Sequence, residues 1–320
     1  DSGRRTSRCL VASMGASTAC AVLVALGACL PPALRLIFAK KFPVAKGAVI
    51  VTGASTGIGL HAAAALAEHG YTVYATVRKD ADARRLQTDF PKLRPLLMDV
   101  VNAEQVAAAK QRVGKELDQE GLKLVGLVNN AGLSRRMPLE FEILDEVIDM
   151  FHVNVFGVVR VTQAFLPMLR ASGAGRIVNV GSIAAKAPNV GSSAYSASKS
   201  ALESMTYSLR QEVASWNISV SLIEPAYVKT DLPSKQLGEN APWTRISNRE
   251  EFDKIWGWWP AKQEALRVKG DAKGATPDVT TEVILHAMES EYPETIYYVA
   301  NAFGIPCRVV AWLSWLLPDR

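Results

Sequence analysis

The stretch from Ala48 to Gly59 limits what this chain can fold into more than any other. Ala48 to Thr52 (AVIVT) is a short apolar, β-branched run that reads as a buried strand. Thr52 to Gly59 (TGASTGIG) is a glycine-rich loop, and a helical pattern begins near Leu60. Glycines at such a junction let the backbone turn tightly and approach a phosphate closely. The helix N-terminus behind them offers free N–H groups and the positive end of a dipole. A tight βα turn with no ligand would use glycine in the same way, and it is the strand–loop–helix context that favours phosphate.

The same texture continues along the chain. Thr72 to Val77, Arg94 to Leu97, Leu124 to Val128, Arg176 to Val180 and Ser219 to Ile223 read as further strands. His61–His69, Ala103–Glu120, Leu144–Leu169 and Ala197–Ser215 read as helices between them. Strands alternating with helices predict an α/β fold, a doubly wound parallel sheet covered by helices on both faces. No internal repeat or low-complexity linker interrupts the stretch from 46 to 300, which reads as one catalytic domain.

Composition narrows the function. Hydrophobic residues make up 49% of the 320 and charged residues 21%, as in a globular protein rather than a disordered one. The formal net charge of +5 comes partly from Arg and Lys flanking an apolar N-terminal segment, and no basic run exists, which argues against a nucleic-acid partner. The excess fits a membrane surface or an ordinary solvated one. Cys9, Cys20, Cys29 and Cys307 form no CxxC pair, and His61, His69, His152 and His286 lack ligand spacing, so no metal site is expected.

Both ends of the chain carry apolar segments. Leu10 to Leu30 holds no charged residue and is long enough to cross a bilayer, for which about 20 residues suffice. Basic residues flank it on both sides, so the positive-inside rule gives no orientation. A membrane anchor within residues 1–45 is the leading reading, which makes the protein membrane-associated. A cleaved signal or transit peptide and a lipoprotein-like site at Leu26–Cys29 are the alternatives. Residues 301–320 include Phe303 to Leu317 (FGIPCRVVAWLSWLL), too short to span. It reads either as an interfacial segment or as a helix packed on the domain or a partner subunit.

The glycine spacing, Gly53, Gly57 and Gly59 around Ser55, Thr56 and Ile58, differs from Gly-x-Gly-x-x-Gly. It resembles the cofactor loop of the short-chain dehydrogenase/reductase family. Asn129, Asn130, Ala131 and Gly132 (NNAG), Asn154 in HVNVFG, Ser182 in VNVGS, and Tyr195 with Lys199 in YSASK match that family's motifs in order and spacing, from about Lys46 to Val299. Asp99 matches its adenine-binding acid, and Thr230, after Pro225, the residue that bonds the nicotinamide carboxamide. One departure is Ala226, where the family usually has Gly after Pro. The resemblance implies a Rossmann-type fold, a nicotinamide cofactor and, as an allowed assembly, a homodimer. Asn129, Ala131, Gly132 and Pro225 are carried over as cofactor-binding positions.

Tyr195 and Lys199 stand four apart on a predicted helix and so share a face. Free tyrosine titrates near 10, and a neighbouring ammonium together with an oxidised nicotinamide would favour its phenolate. By resemblance Lys199 also holds the nicotinamide ribose, Ser182 bonds the substrate oxygen, and Asn154 kinks its helix and holds a water that relays protons from Lys199. At the end of the second strand, where a carboxylate would mark NAD(H), stands Val77, with Arg78 and Lys79 directly after it. That predicts NADP(H) as the preferred cofactor, with NAD(H) also usable.

Residues 231–280 occupy the place of the family's variable substrate lid. Four of the seven tryptophans fall between Trp243 and Trp259, and such aromatic density favours a large apolar substrate, unless the rings only pack the lid. Stretches such as YTVYATVR, MPLEF and VSLIEP resemble the 17β-hydroxysteroid and retinol dehydrogenase branch. The expected activity is alcohol–carbonyl interconversion on a steroid, retinoid or other lipid. A 3-ketoacyl or 3-ketosphinganine-type reductase and a catalytically silent membrane-complex subunit remain as alternatives.

Overall fold

The computed structural model describes residues 40–230, 238, 241–302 and 304–316. The proposed anchor at Leu10–Leu30 and most of 231–240 lie outside the described residues. The chain divides into two units, Asp1–Lys41 and Phe42–Arg320, and the fold below is that of the second. Its first packed residue is Phe42, buried, with its N–H on Glu291 O (2.9 Å) and its carbonyl accepting from Arg176 Nη2 (3.3 Å).

Six strands appear where sequence placed them: β1 (Ala48–Val51), β2 (Thr72–Val77), β3 (Leu93–Leu97), β4 (Leu124–Asn129), β5 (Arg176–Val180) and β6 (Ser219–Pro225). A seventh, β7 (Ile296–Val299), completes a parallel sheet in the order β3-β2-β1-β4-β5-β6-β7. Every residue of β1, β4, β5 and β6 is buried, as unbroken apolar runs in a two-sided sheet must be.

Helices α1 (Gly57–Glu68), α2 (Asp80–Asp89), α3 (Ala103–Glu120), α4 (Leu144–Phe151), α5 (Val158–Ser172) and α6 (Ser193–Val213) connect these strands. The helix α3 shows how the sequence specifies them. Asn102 Oδ1 caps it by accepting from Gln105 N at 2.9 Å, Gly121 ends it at φ 64°, and Val106, Ala109, Val113 and Leu117 make one buried stripe. That stripe joins Val161 and Phe165 of α5 in the core on one face of the sheet. The other core packs Ala62, Ala63 and Leu66 of α1 against Ile284, Ala287 and Met288 of a later helix.

The strand order reverses between β1 and β4, and their carboxyl ends open the crevice where ligands of such sheets bind. Sequence expected one helix from Leu144 to Leu169, and the structure breaks it. A π-turn at His152–Gly157 separates α4 from α5. There the Asn154 side chain turns inward, and Gly157 sits so close to Val100 that a Cβ would come within 2.7 Å of its Cγ2. The helix α6 begins at Ser193 rather than Ala197, which puts Tyr195 in its first turn.

Beyond β6 the lid contributes α7 (Arg249–Trp256) and α8 (Trp259–Lys273), followed by α9 (Asp278–Glu289), which lies on the sheet. The lid aromatics answer the question left open by composition. Trp243, Phe252 and Trp259 are buried with Met137 and Ala241 in a small core of their own, and Trp258 packs edge-on to Trp259 with centroids 5.8 Å apart. These rings hold the lid together, so their number does not report substrate polarity.

A β8–β9 hairpin (Asn301–Ala302, Ile305–Pro306) leads into α10 (Cys307–Leu316). Cys307 is buried and donates to Glu224 O at 3.4 Å, while Val309, Trp312 and Leu316 are exposed. The C-terminal segment thus docks by its first residue and leaves an apolar face outward. Among the described residues no helix is long and apolar enough to cross a membrane, and no group of ligands could hold a metal.

Candidate active site

Strands β1 and β4 are laced together at the crevice by side chains. Thr52 Oγ1, at the end of β1, accepts from Asn130 N (2.9 Å) and Ala131 N (3.0 Å), and Asn130 Nδ2 donates to Thr52 O (3.0 Å) and Gly53 O (3.1 Å). This lacing dictates two of the glycines. A Cβ on Gly53, at φ 66°, would meet Ala131 Cα at 2.8 Å, and one on Gly59 would strike both Asn130 Nδ2 and Gly53 O at 2.4 Å. The resulting cleft is lined by Gly53, Ser55, Thr56, Gly57, Ile58, Arg78, Lys79, Asp99, Ala131, Gly132 and Thr230, all but Lys79 expected as binding positions.

One expected binding residue is turned away from the cleft. Asn129 is buried inside β4, with Nδ2 on Thr162 Oγ1 (3.1 Å) and Asn179 Oδ1 (2.9 Å), and Asn179 in turn donates to Thr206 Oγ1 (2.9 Å). The alternation of a strand sends its side chain into this polar ladder, and the neighbouring Asn130 faces the cleft instead. Pro225 ends β6 beside Val299 and is not among the residues lining the cleft. Ala226, the departure from the family pattern, donates to Val299 O at 2.9 Å with no left-handed φ, so the absent glycine brings no strain.

Sequence reasoning missed Thr52, Thr76, Asn130 and Arg85. Thr76 lines the cleft and accepts from Gly53 N at 3.3 Å, and Arg85 Nη2 donates to Ser55 O at 2.5 Å while pairing with Asp82 at 3.8 Å. A threonine closing an apolar strand was the available signal for Thr52 and Thr76. Nothing in the chain pointed to Arg85.

The four expected catalytic side chains converge at the carboxyl ends of β4 and β5. Ser182 follows β5 and caps a short 3-10 turn, accepting from Ala184 N at 3.2 Å. Lys199 is buried in α6, donates to Val180 O at 2.8 Å, and lies 5.9 Å from the Tyr195 ring centroid. Asn154 accepts from Leu133 N (2.7 Å) and donates to Leu133 O (2.8 Å) and Ser198 Oγ (3.0 Å); Ser198 bonds Tyr195 O at 2.7 Å. A Cβ on Gly132 would lie 3.4 Å from Asn154 Oδ1 and 3.7 Å from Lys199 Nζ, so cofactor cleft and catalytic group share a wall.

Burial pushes the Lys199 ammonium down to about 8. It also pushes the Tyr195 phenol up, against the opposing pulls of the Ser182 hydroxyl and the Arg136 guanidinium. The phenol is therefore held as an acid until something beside it favours the anion.

Behind α6 lies a second ionisable group that sequence did not mark. Glu203 of α6 is paired with Lys186 and accepts from Tyr207 OH at 2.8 Å. Glu224 of β6 is fully buried, with neither carboxylate oxygen partnered among the described residues. Burial foremost, then the Glu203 charge, pushes it up to about 8.

Residues 47–240 match the model of the family described as short chain dehydrogenase. The chain is 33% identical over 269 residues to estradiol 17-beta-dehydrogenase 2 of Mus musculus, covering 80% of this chain and 68% of that protein. It is likewise 33% identical over 270 residues to 17-beta-hydroxysteroid dehydrogenase type 1 of Homo sapiens, covering 81% and 79%. Among solved structures it is similar to a short chain dehydrogenase from Burkholderia cenocepacia in complex with NADP, at 26% identity, with 84% and 92% of the two chains covered and a TM-score of 0.62. The chain belongs to the short-chain dehydrogenase family and is an NAD(P)-dependent oxidoreductase of alcohol groups.

Proposed function

We propose that this enzyme interconverts an alcohol and a carbonyl on an apolar substrate such as a steroid, retinoid or other lipid, with Tyr195 as acid/base and NADP(H) as preferred cofactor. The observation that supports it best is the grouping of Ser182, Tyr195 and Lys199 beside a cleft whose backbone can admit a pyrophosphate. The cradle fits a dinucleotide: Gly53 and Gly59 exclude side chains where the loop closes, α1 begins at Gly57, and Ser55, Arg78 and Lys79 are among the residues lining the cleft.

When bound, the nicotinamide supplies or accepts the hydride. In the reducing direction the phenol of Tyr195 gives its proton to the substrate oxygen, a role suited to a buried tyrosine whose neutral form is favoured. The Ser182 hydroxyl donates to that oxygen as charge grows on it. Lys199 spends one N–H on Val180 O and keeps two for ribose hydroxyls. Its ammonium, brought down to about 8, exchanges a proton readily near neutrality. Asn154 orders Leu133 and, through Ser198, the first turn of α6.

Steady-state turnover of steroid, retinoid and ketoacyl substrates with both cofactors, in detergent, tests the reading. Steroid or retinoid turnover is expected; turnover of ketoacyl substrates alone would move the chain to the alternative lipid-reductase class. For the cofactor, Arg78→Ala is expected to weaken NADP(H) by about ten- to a hundredfold, the roughly 1.5–3 kcal/mol of a charge-assisted bond, and to spare NAD(H). Equal affinities for the two cofactors in the unmutated enzyme would defeat this preference.

A further inference from the structure

Residues 133–137 run from the cofactor cleft to the turn that starts α6. Leu133 lines the cleft and is fixed by Asn154, and Met137 N donates to Gly191 O at 2.9 Å. Gly191 and Ser192 lead directly to Tyr195. The turn is rigid: Ser192 Oγ donates to Asn189 O (2.7 Å), accepts from Asn189 N (3.0 Å) and meets Ser196 Oγ at 3.0 Å. The strip between these anchors, Ser134–Arg136, thus forms one wall of the approach to the phenol.

Two arginines stand on it and have different fates. Arg135 turns to α4, donating to Glu146 O at 3.0 Å and pairing with Glu146 (3.5 Å) and Asp149 (3.9 Å). Arg136 turns the other way. It is half-buried, and its Nη1 donates a long hydrogen bond to Asn189 Oδ1 (3.4 Å). Among the described residues no carboxylate pairs with it. Burial raises the Tyr195 and Tyr227 phenols, and the Arg136 charge opposes that rise at both. A guanidinium has five N–H donors, and the bond to Asn189 uses one of them.

We infer that Arg136, with Asn189 beside it, is an anion-binding element of the substrate site, and that the substrate joins its apolar body to a carboxylate or similar anionic group. This rests on the proposed alcohol–carbonyl activity and ranks acid-bearing steroids, retinoids or other lipids above their uncharged counterparts. A planar guanidinium accepts a carboxylate in two parallel bonds, which would fix the substrate carbonyl relative to Tyr195 as well as select for charge.

The test is a series of keto acids of increasing carbonyl-to-carboxylate spacing, each paired with its methyl ester. With the unmutated enzyme, kcat/KM for the acid should exceed that for the ester by about tenfold or more at a preferred spacing. In Arg136→Gln the ratio should fall to about one, and Arg136→Lys should keep part of it. Any change the substitution makes at Tyr195 acts on acid and ester alike and cancels in the ratio. A ratio untouched by Arg136→Gln, or a preference for esters at every spacing, overturns the inference. If neither member of any pair turns over, the proposed activity fails instead. The same acids and esters, titrated against the fluorescence of bound NADPH, then decide the arginine: tighter acid binding lost in Arg136→Gln upholds it, and no difference refutes it.

Discussion

Tyr195→Phe is expected to lower turnover by about 10²–10⁴-fold, the range a positioned acid contributes, while cofactor still binds. The substitution keeps the ring that Lys199 faces at 5.9 Å and removes only the transferable proton. Lys199→Ala should behave differently. It removes the group that bonds Val180 O and is proposed to hold the ribose, so cofactor affinity should fall together with turnover. Stopped-flow hydride transfer and fluorescence titration of NADPH separate the two effects. Near-normal turnover in Tyr195→Phe would end the proposed mechanism, and so would Lys199→Ala with unchanged cofactor affinity.

The second large effect is on stability. Glu224 has an ordinary value of 4.5 and is pushed up to about 8 in the folded chain. Between these values the native state holds a proton that the unfolded state releases, so stability falls as pH rises. The contribution is complete below about 4.5 and is lost as pH passes about 8. At roughly 1.4 kcal/mol per unit the loss is of order 3–5 kcal/mol. Lys199 works in the opposite sense: its ammonium is brought down from 10.5 to about 8, so stability rises with pH between those values and the gain is complete above them. The urea midpoint should therefore drop between pH 5 and pH 8, and Glu224→Gln, which stays neutral, should flatten that slope. An equal slope in the variant would show that Glu224 carries no buried proton.

Much of this was legible in the chain because periodicity and glycine report backbone needs directly. Six strands, the glycine cradle and the Ser182, Tyr195 and Lys199 grouping all follow from local pattern or from motif spacing. What escaped was decided by side chains meeting across the fold. Which asparagine of Asn129-Asn130 faces the cleft depends on strand register to a single residue. The resemblance gave the kink at Asn154 but not its cause, which is Asn154 finding Leu133, a partner 21 residues earlier. The strand β7 is four residues long at the edge of the sheet, half-buried on alternate positions, and too short to announce itself. The lid tryptophans left the choice open because an aromatic cluster that packs a lid and one that lines a pocket have the same composition.

The paired bonds of Asn154 to Leu133 carry one more consequence. A side-chain amide that accepts from the N–H and donates to the C=O of one residue does the work of a neighbouring strand, but at a single point. The strip beyond β4 is pinned there, and pinned again four residues on where Met137 bonds Gly191. Ser134, Arg135 and Arg136 hang between two fastenings that are independent of their own side chains. Arg135 is also tied to α4, whereas exchanging Ser134 or Arg136 leaves both backbone fastenings intact. On the proposed reading, the scaffold keeps the residues that perform chemistry apart from a short insert that selects what is brought to them.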